Sequence, residues 1–233
     1  MIVSPSGYFS DVVSREFPGV SPERIFVSPS GGLDKRFFVA QPEPKNSEVP
    51  VIGFVSRIDK GKGWETLLAA LARLRDNGHR FKAVIAGSGT QEPQMKEMIA
   101  QLGLESLTDC IGAVGHDRLP QVYRSFDLFI FPTQRANESL GLVGLEAMAA
   151  GVPVIAGNIG GPAGYVRNGG NGYLFPPGDA DALTGRIEQF LALPPEKRFE
   201  MGREALDTAR GYEAGKVARN LYDRLQEIIT YAS

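Results

Sequence analysis

Cysteine occurs once in this chain, at Cys110, so no disulfide can link one part of it to another. A lone thiol in an apolar, strand-like setting fits a reducing compartment and a buried, unreactive role. Histidine is nearly as scarce, with only His79 and His116. So few sulfur and imidazole ligands cannot build a zinc site of the usual composition, and no metal is expected. An excess of either charge is also missing, since 25 basic residues face 27 acidic ones for a net charge of -2. Without a basic field to neutralise phosphates along a polynucleotide, nucleic acid is not an expected partner. There is no run of about 18 apolar residues and no signal-peptide pattern, so a soluble, cytoplasmic protein is expected.

What is present is ordinary in amount and informative in order. Apolar residues make up 42% of 233 and charged residues 22%, which suits one or two globular domains with a sizeable core. Short apolar, β-branched runs alternate with amphipathic stretches, the pattern of a parallel sheet flanked by helices. Strands are expected at 51–56, 81–86, 109–114, 127–131, 152–156 and 172–175. Helices are expected at 64–75, where Trp64, Leu67, Leu68, Leu71 and Leu74 follow helical spacing, and at 92–101, 119–125 and 139–150. Three more close the chain near 180–192, 195–209 and 213–230. The reading is a Rossmann-like, doubly wound α/β domain of about six parallel strands with helices on both faces. Ligands of such domains sit beyond the carboxyl ends of the strands.

Residues 1–45 behave differently. A strand end at Ile2 and Val3, a helix at 8–16 capped by Ser6 and a strand at 24–27 precede a proline-rich, polar stretch at 41–50. So few elements cannot bury their own apolar faces, so they read as the tail of another domain.

The loops after the strands carry the chemistry. The first contains Arg57, Asp59, Lys60, Gly61, Lys62 and Gly63. A guanidinium fork with an ammonium suits a diphosphate, and a solvated basic turn is the plainer alternative. The second loop, Ala86-Gly87-Ser88-Gly89, allows close backbone approach or helix packing. It lacks the third glycine of a dinucleotide fingerprint, and no P-loop occurs. After the fourth strand come Phe131-Pro132-Thr133 and then Glu138-Ser139-Leu140-Gly141-Leu142, with Glu146 further on. Glu138 sits just before the expected helix and Glu146 two turns inside it, so they stand roughly 12 Å apart along its axis. That exceeds the ~5–9.5 Å of a glycosidase pair, so they would hold two ends of an extended ligand, with the free amides of the helix start facing phosphate between them. Alternatively, Glu138 is a simple helix-start acid and Glu146 faces solvent.

Taken in order, these pieces resemble the family-four retaining glycosyltransferases of the GT-B fold. The resemblance rests on Arg57 with Lys62, Gly87-x-Gly89, Phe131-Pro132-Thr133, Glu138 with Glu146, and Ala147-Met148-Ala149-Ala150-Gly151-Val152-Pro153. Gly160-Gly161 and Asn171-Gly172-Tyr173-Leu174-Phe175-Pro176-Pro177-Gly178-Asp179 complete it. It covers about residues 50–230. It implies a nucleotide-sugar donor domain at 46–210, a remnant of an N-terminal domain with its linker at 1–45, and a crossing helix at 211–233.

The resemblance also implies roles. Arg57 and Lys62 would bind the donor diphosphate and stabilise the leaving charge, and Glu138 would accept from sugar hydroxyls. Ser139 and backbone amides near Gly141 and Leu142 would meet sugar or phosphate oxygens. Glu146 would hold the ribose, with Gly87, Gly89, Val114 and Gly115 bordering the nucleotide. The nucleoside-diphosphate sugar is then a substrate, and neither cofactor nor metal is implied. Where many relatives carry an acid shortly after Gly-Gly, this chain has Gly164. The acceptor would be held by an N-terminal domain of about 150 residues or more, absent here or supplied by a partner subunit. An acceptor lipid would allow peripheral contact with the inner face of a membrane. The last helix, with Val217, Leu221, Leu225 and Ile228 in one stripe, is expected to pack on the helix at 8–16. A non-catalytic binding subunit, and a phosphorylase or sucrose-type synthase using the same site, are the alternative functions.

Overall fold

The computed structural model describes residues 1–40 and 48–232. The domain boundary expected at 45 lies outside the described residues, as does 41–47 of the polar stretch. The chain opens with β1 (Ile2–Ser4), α1 (Gly7–Glu16) and β2 (Ile25–Val27), and the two strands pair in parallel. The Ser6 hydroxyl caps α1 by accepting from the Phe9 N–H. Val3 and Val27 stay exposed, as befits a strand pair covered on few sides.

Six further strands form one parallel sheet: β3 (Val51–Val55), β4 (Lys82–Ala86), β5 (Thr108–Gly112), β6 (Leu128–Phe131), β7 (Val154–Gly157) and β8 (Gly172–Phe175). Their spatial order is β5-β4-β3-β6-β7-β8. The helices are α2 (Trp64–Asp76), α3 (Glu92–Gln101), α4 (Leu119–Arg124), α5 (Leu142–Ala149), α6 (Ala180–Leu191), α7 (Pro195–Arg210) and α8 (Ala214–Ala232). Alternate residues of each strand feed two cores. On one face Ile52, Phe54, Ile85 and Ile130 meet Leu67 and Leu71 of α2, Ile99 of α3 and Ile187 of α6. On the other, Val55, Phe129 and Phe131 meet Tyr123, Leu145, Met148 and Ala205, joined by Leu33 and Phe37 from the first segment. The doubly wound expectation holds.

The chain winds from β3 outward through β4 and β5, then returns to lay β6 on the opposite side of β3. The sheet therefore reverses direction between β3 and β6, which opens a crevice between the loops that follow them. This topology alone brings the 56–63 and 132–141 loops together.

Two expectations need correction, and three short turns add to the expected elements. The helix expected at 139–150 starts at Leu142, because Gly141 adopts a left-handed conformation at φ 73° and residues 138–141 form a loop. An axial separation of Glu138 and Glu146 computed from an unbroken helix therefore does not apply. Turns at Pro22–Arg24, Lys35–Phe37 and Gly161–Gly164 are too short to leave a periodic pattern. Finally, α8 does not bury its stripe on α1. Val217 is buried and Leu221 half-buried, but Leu225 and Ile228 are exposed, while α1 packs against the Gly161–Gly164 turn.

Candidate functional site

The loop after β3 is shaped by the neighbouring strand ends. Ser56 donates to the Ala86 carbonyl at 3.1 Å and Ile58 to the Ser88 carbonyl at 3.0 Å. A Cβ at Gly87 would stand 1.8 Å from the Ser56 oxygen, and one at Gly89 would stand 2.4 Å from that of Ile58. These glycines let two loops interlock, and neither lines the cavity described below. The loop ends at Gly63, whose φ of 79° and contact with the Pro132 carbonyl leave no room for a side chain. Lys62 is thereby held against the loop that follows β6.

Arg57 is aimed by a different device. Its guanidinium lies 3.3 Å from the Asp59 carboxylate. Asp59 accepts from both the Thr90 amide at 3.0 Å and the Thr90 hydroxyl at 2.9 Å. Those two hydrogen bonds, with help from Arg57 and Arg135, hold the Asp59 carboxyl below its ordinary value.

Across the crevice, the Gly161 amide donates to the Glu138 carbonyl at 2.8 Å, and the Glu138 amide donates to the Arg135 carbonyl at 3.1 Å. A Cβ at Gly161 would collide with Leu140 backbone at 2.4 Å, and one at Gly160 would press the Glu138 carbonyl at 2.7 Å. The paired glycines thus seat the Glu138 loop. Gly164, by contrast, has open space where a side chain would stand. The Gly141 carbonyl accepts from the buried Tyr165 hydroxyl at 2.9 Å, and no side chain caps the start of α5.

Arg57, Lys62, Glu138, Ser139, Gly141 and Leu142 come together around one cavity of about 320 Å³, with Ser30, Ser56, Phe131, Leu140 and Val143 completing its lining. Lys62 Nζ donates to Glu138 Oε2 at 2.8 Å, and the two side chains are only 15% and 18% exposed. The cavity thus combines an exposed guanidinium, a sheltered ion pair and an uncapped helix start, a set suited to an anion with hydroxyls attached. Glu138 is neither a simple helix-start acid nor free.

Glu146, Val114 and Gly115 do not line this cavity. Glu146 is 9% exposed and accepts from the Tyr123 hydroxyl at 2.7 Å, so it does not face solvent. Burial pushes its carboxyl above the ordinary value, against the pull of the Tyr123 hydroxyl and of nearby His116. Val114 is half-buried against the second core, and a Cβ at Gly115 would meet Asp117 Oδ1 at 2.7 Å. His116 stands edge-on to Phe37 with ring centroids 5.1 Å apart, and its Nδ1 is 3.3 Å from Arg36.

Two contributors lie outside the motifs that the sequence displays. Ser30 reaches the cavity from the first segment at φ 27°, an uncommon conformation for a residue with a side chain. The following Gly31-Gly32 was the available signal. Tyr123 carried none, because a partner 23 positions from Glu146 is set by helix packing alone. Among the described residues, no group of three or more His, Cys, Asp or Glu side chains is placed to hold a metal. Nor is any described helix long and apolar enough to cross a membrane.

Comparison with known proteins places this geometry in a family context. The family model of glycosyl transferases group 1 matches residues 35–208. The 2-deoxystreptamine glucosyltransferase of Streptomyces kanamyceticus is 33% identical over 211 residues, 88% of this chain and 53% of that protein. A D-inositol 3-phosphate glycosyltransferase of Saccharomonospora viridis is 31% identical over 226 residues, 93% of this chain and 50% of its own length. The chain spans about half the length of the curated relatives it matches. Among solved structures, sucrose-phosphate synthase from Thermosynechococcus elongatus superposes with a TM-score of 0.82 at 24% identity, covering 99% of this chain and 58% of that one. Anabaena HepE, solved with UDP and glucose, gives 0.82 at 22% identity over 97% of this chain and 63% of its own. At these identities the structural likeness is one of fold.

Proposed function

The chain belongs to the glycosyl transferases of group 1 and has the fold of the C-terminal half of a GT-B enzyme, and from that premise we propose that its cavity binds a nucleoside-diphosphate sugar for transfer with retained configuration. The observation that carries this reading is the convergence of Arg57, Lys62, Glu138 and the start of α5 on a single cavity. Arg57 and Lys62 take the diphosphate, the amides at Leu142 and Val143 meet a phosphate or sugar oxygen, and Glu138 accepts from sugar hydroxyls. Glu146 holds the ribose deeper in the crevice, with Val114 and Gly115 beside the base. HepE, whose structure holds UDP and glucose, lends support through its fold.

Transfer breaks the bond from the anomeric carbon to the phosphate oxygen and forms one to the acceptor oxygen. The acceptor proton passes to the departing phosphate. Positive charge grows on the sugar and negative charge on the phosphate, so fixed cations and a helix start aimed at that phosphate favour the transition state over the ground state. Among the described residues Glu138 is the one carboxylate lining the cavity, and its ion pair with Lys62 suits a hydroxyl acceptor better than a covalent nucleophile. In this reading the acceptor, a glycan or lipid-linked group, is held by a domain or subunit facing the crevice, and these residues alone have little activity.

Calorimetric titration with UDP, GDP and ADP and their glucose conjugates tests the proposal. One series should bind, and Lys62→Ala should weaken it by about tenfold or more, the scale of a lost charge-assisted contact. Arg57→Ala should cost less, because that side chain is 70% exposed. Absence of binding by every nucleotide, or binding indifferent to both substitutions, would overturn it.

A further inference from the structure

The sheltered charges of the cavity are engaged with each other. Lys62 Nζ and Glu138 Oε2 stand 2.8 Å apart, the tightest pairing among the residues that line it. Both backbones are fixed: Lys62 donates from its amide to the Asp59 carbonyl at 3.2 Å, and Glu138 is held through Gly161 and Arg135. Only the two side chains need to turn for the pair to open. Arg57 is occupied by Asp59 instead, so it does not compete for Glu138.

A bound phosphate draws Lys62 away from Glu138. If the ligand carries nothing else, Glu138 is left as an unpaired, poorly solvated carboxylate beside an added negative charge, which opposes binding. If the phosphate carries a sugar, a hydroxyl can donate to Glu138 as Lys62 leaves. Both partners are then satisfied at once.

We propose that the Lys62–Glu138 ion pair is an internal competitor that sets the cavity's preference for a nucleoside diphosphate still bearing its sugar over one that has lost it. The inference rests on the donor-site reading above and adds a consequence to it. Once the sugar has been transferred, Glu138 loses its hydroxyl partners and reclaims Lys62 from the phosphate. Re-forming the pair weakens the hold on the spent nucleotide and promotes its release. Glu138 thereby acts on specificity and on turnover through Lys62, apart from its contact with the sugar.

The test compares UDP with UDP-glucose on the unaltered 233-residue chain, Glu138→Gln and Lys62→Ala by calorimetry, using the GDP or ADP pair if that series is the one bound. The amide keeps the side chain's shape but cannot hold an ammonium as a carboxylate does. UDP-glucose should bind the unaltered protein more tightly than UDP. Glu138→Gln should bind UDP about fivefold tighter or more, a smaller change than the full coupling of close charge pairs, and the preference for the conjugate should shrink toward one. Glu138→Ala should move UDP affinity in the same direction, and circular dichroism would verify that each variant is folded. If Lys62→Ala weakens UDP while Glu138→Gln leaves it unchanged or weaker, the donor-site reading stands and this inference falls. If no nucleotide binds any of the proteins, both fall.

Discussion

Burial sets a cost on Glu146 that a surface acid would not bear. Its carboxyl is pushed above the ordinary value of 4.5 chiefly by desolvation, and one hydroxyl, that of Tyr123, partly compensates. The folded state therefore binds this proton more tightly than the unfolded chain. Stability is not penalised below the unfolded pKa, and it falls as pH rises from there through the folded pKa. Glu146→Gln should relieve the penalty at neutral pH while keeping the hydrogen bond from Tyr123. A gain of about 1 kcal/mol would raise Tm by roughly 2–4 °C in a domain of this size. Thermal unfolding should show that gain at pH 7 and little of it near pH 4, with nucleoside binding weakened throughout. A lower Tm at pH 7 would mean that the carboxylate is stabilising as it stands. With the ribose-holding role proposed for Glu146, this is the usual opposition between stability and function. The sequence singles Glu146 out by its place after Glu138, but does not show its environment, because Tyr123 and His116 come from other elements.

Among the elements, the loops were less legible than the strands and helices they join. The strands and most helices could be read from apolar periodicity, since each buries one stripe or run in a core that tolerates little else. Gly141 ends that legibility. It looks like a helix residue by composition, yet it takes the left-handed turn that tucks under Phe131 and starts α5 three residues late. Gly63 is comparable, because a ligand-approach role and a packing role predict the same residue. The structure gives it packing: its Cβ would stand 1.8 Å from the Pro132 carbonyl at a φ of 79°. Gly63→Ala should cost roughly 2–3 kcal/mol, from backbone strain and overpacking together, and should also weaken nucleotide binding by displacing Lys62. Chemical denaturation would measure the first effect; a variant as stable as the parent would contradict the packing role. The Asn171-Gly172 motif is structural as well. Asn171 donates to the Tyr165 carbonyl and to Thr208, and Gly172 allows β8 to approach Val154. On α8, Tyr222 is 60% and Leu225 42% exposed, so Tyr222→Lys with Leu225→Lys should leave the unfolding free energy within about 0.5 kcal/mol per site. A larger loss would show that these two side chains are part of the core after all.

For the molecule as a whole, topology decides where chemistry can happen. Arg57 and Glu138 are 81 positions apart in the chain, and only the reversal of winding between β3 and β6 brings their loops to one crevice. The alternation of strands and helices implied that crevice before any motif was considered. What it could not imply was the first segment's share. Leu33 and Phe37 sit in the second core, Leu33 donates to the Tyr212 carbonyl at 2.7 Å, and Ser30 is carried to the cavity edge. Such long-range attachments leave no periodicity to read. Whether the crevice clamps a sugar diphosphate is tested most directly by a crystal structure with the bound donor. The diphosphate should lie within hydrogen-bond distance of Lys62 Nζ and the α5 amides, with Glu138 turned from Lys62 to a sugar hydroxyl. A nucleotide seated elsewhere on the surface, with the Lys62–Glu138 pair intact, would contradict it.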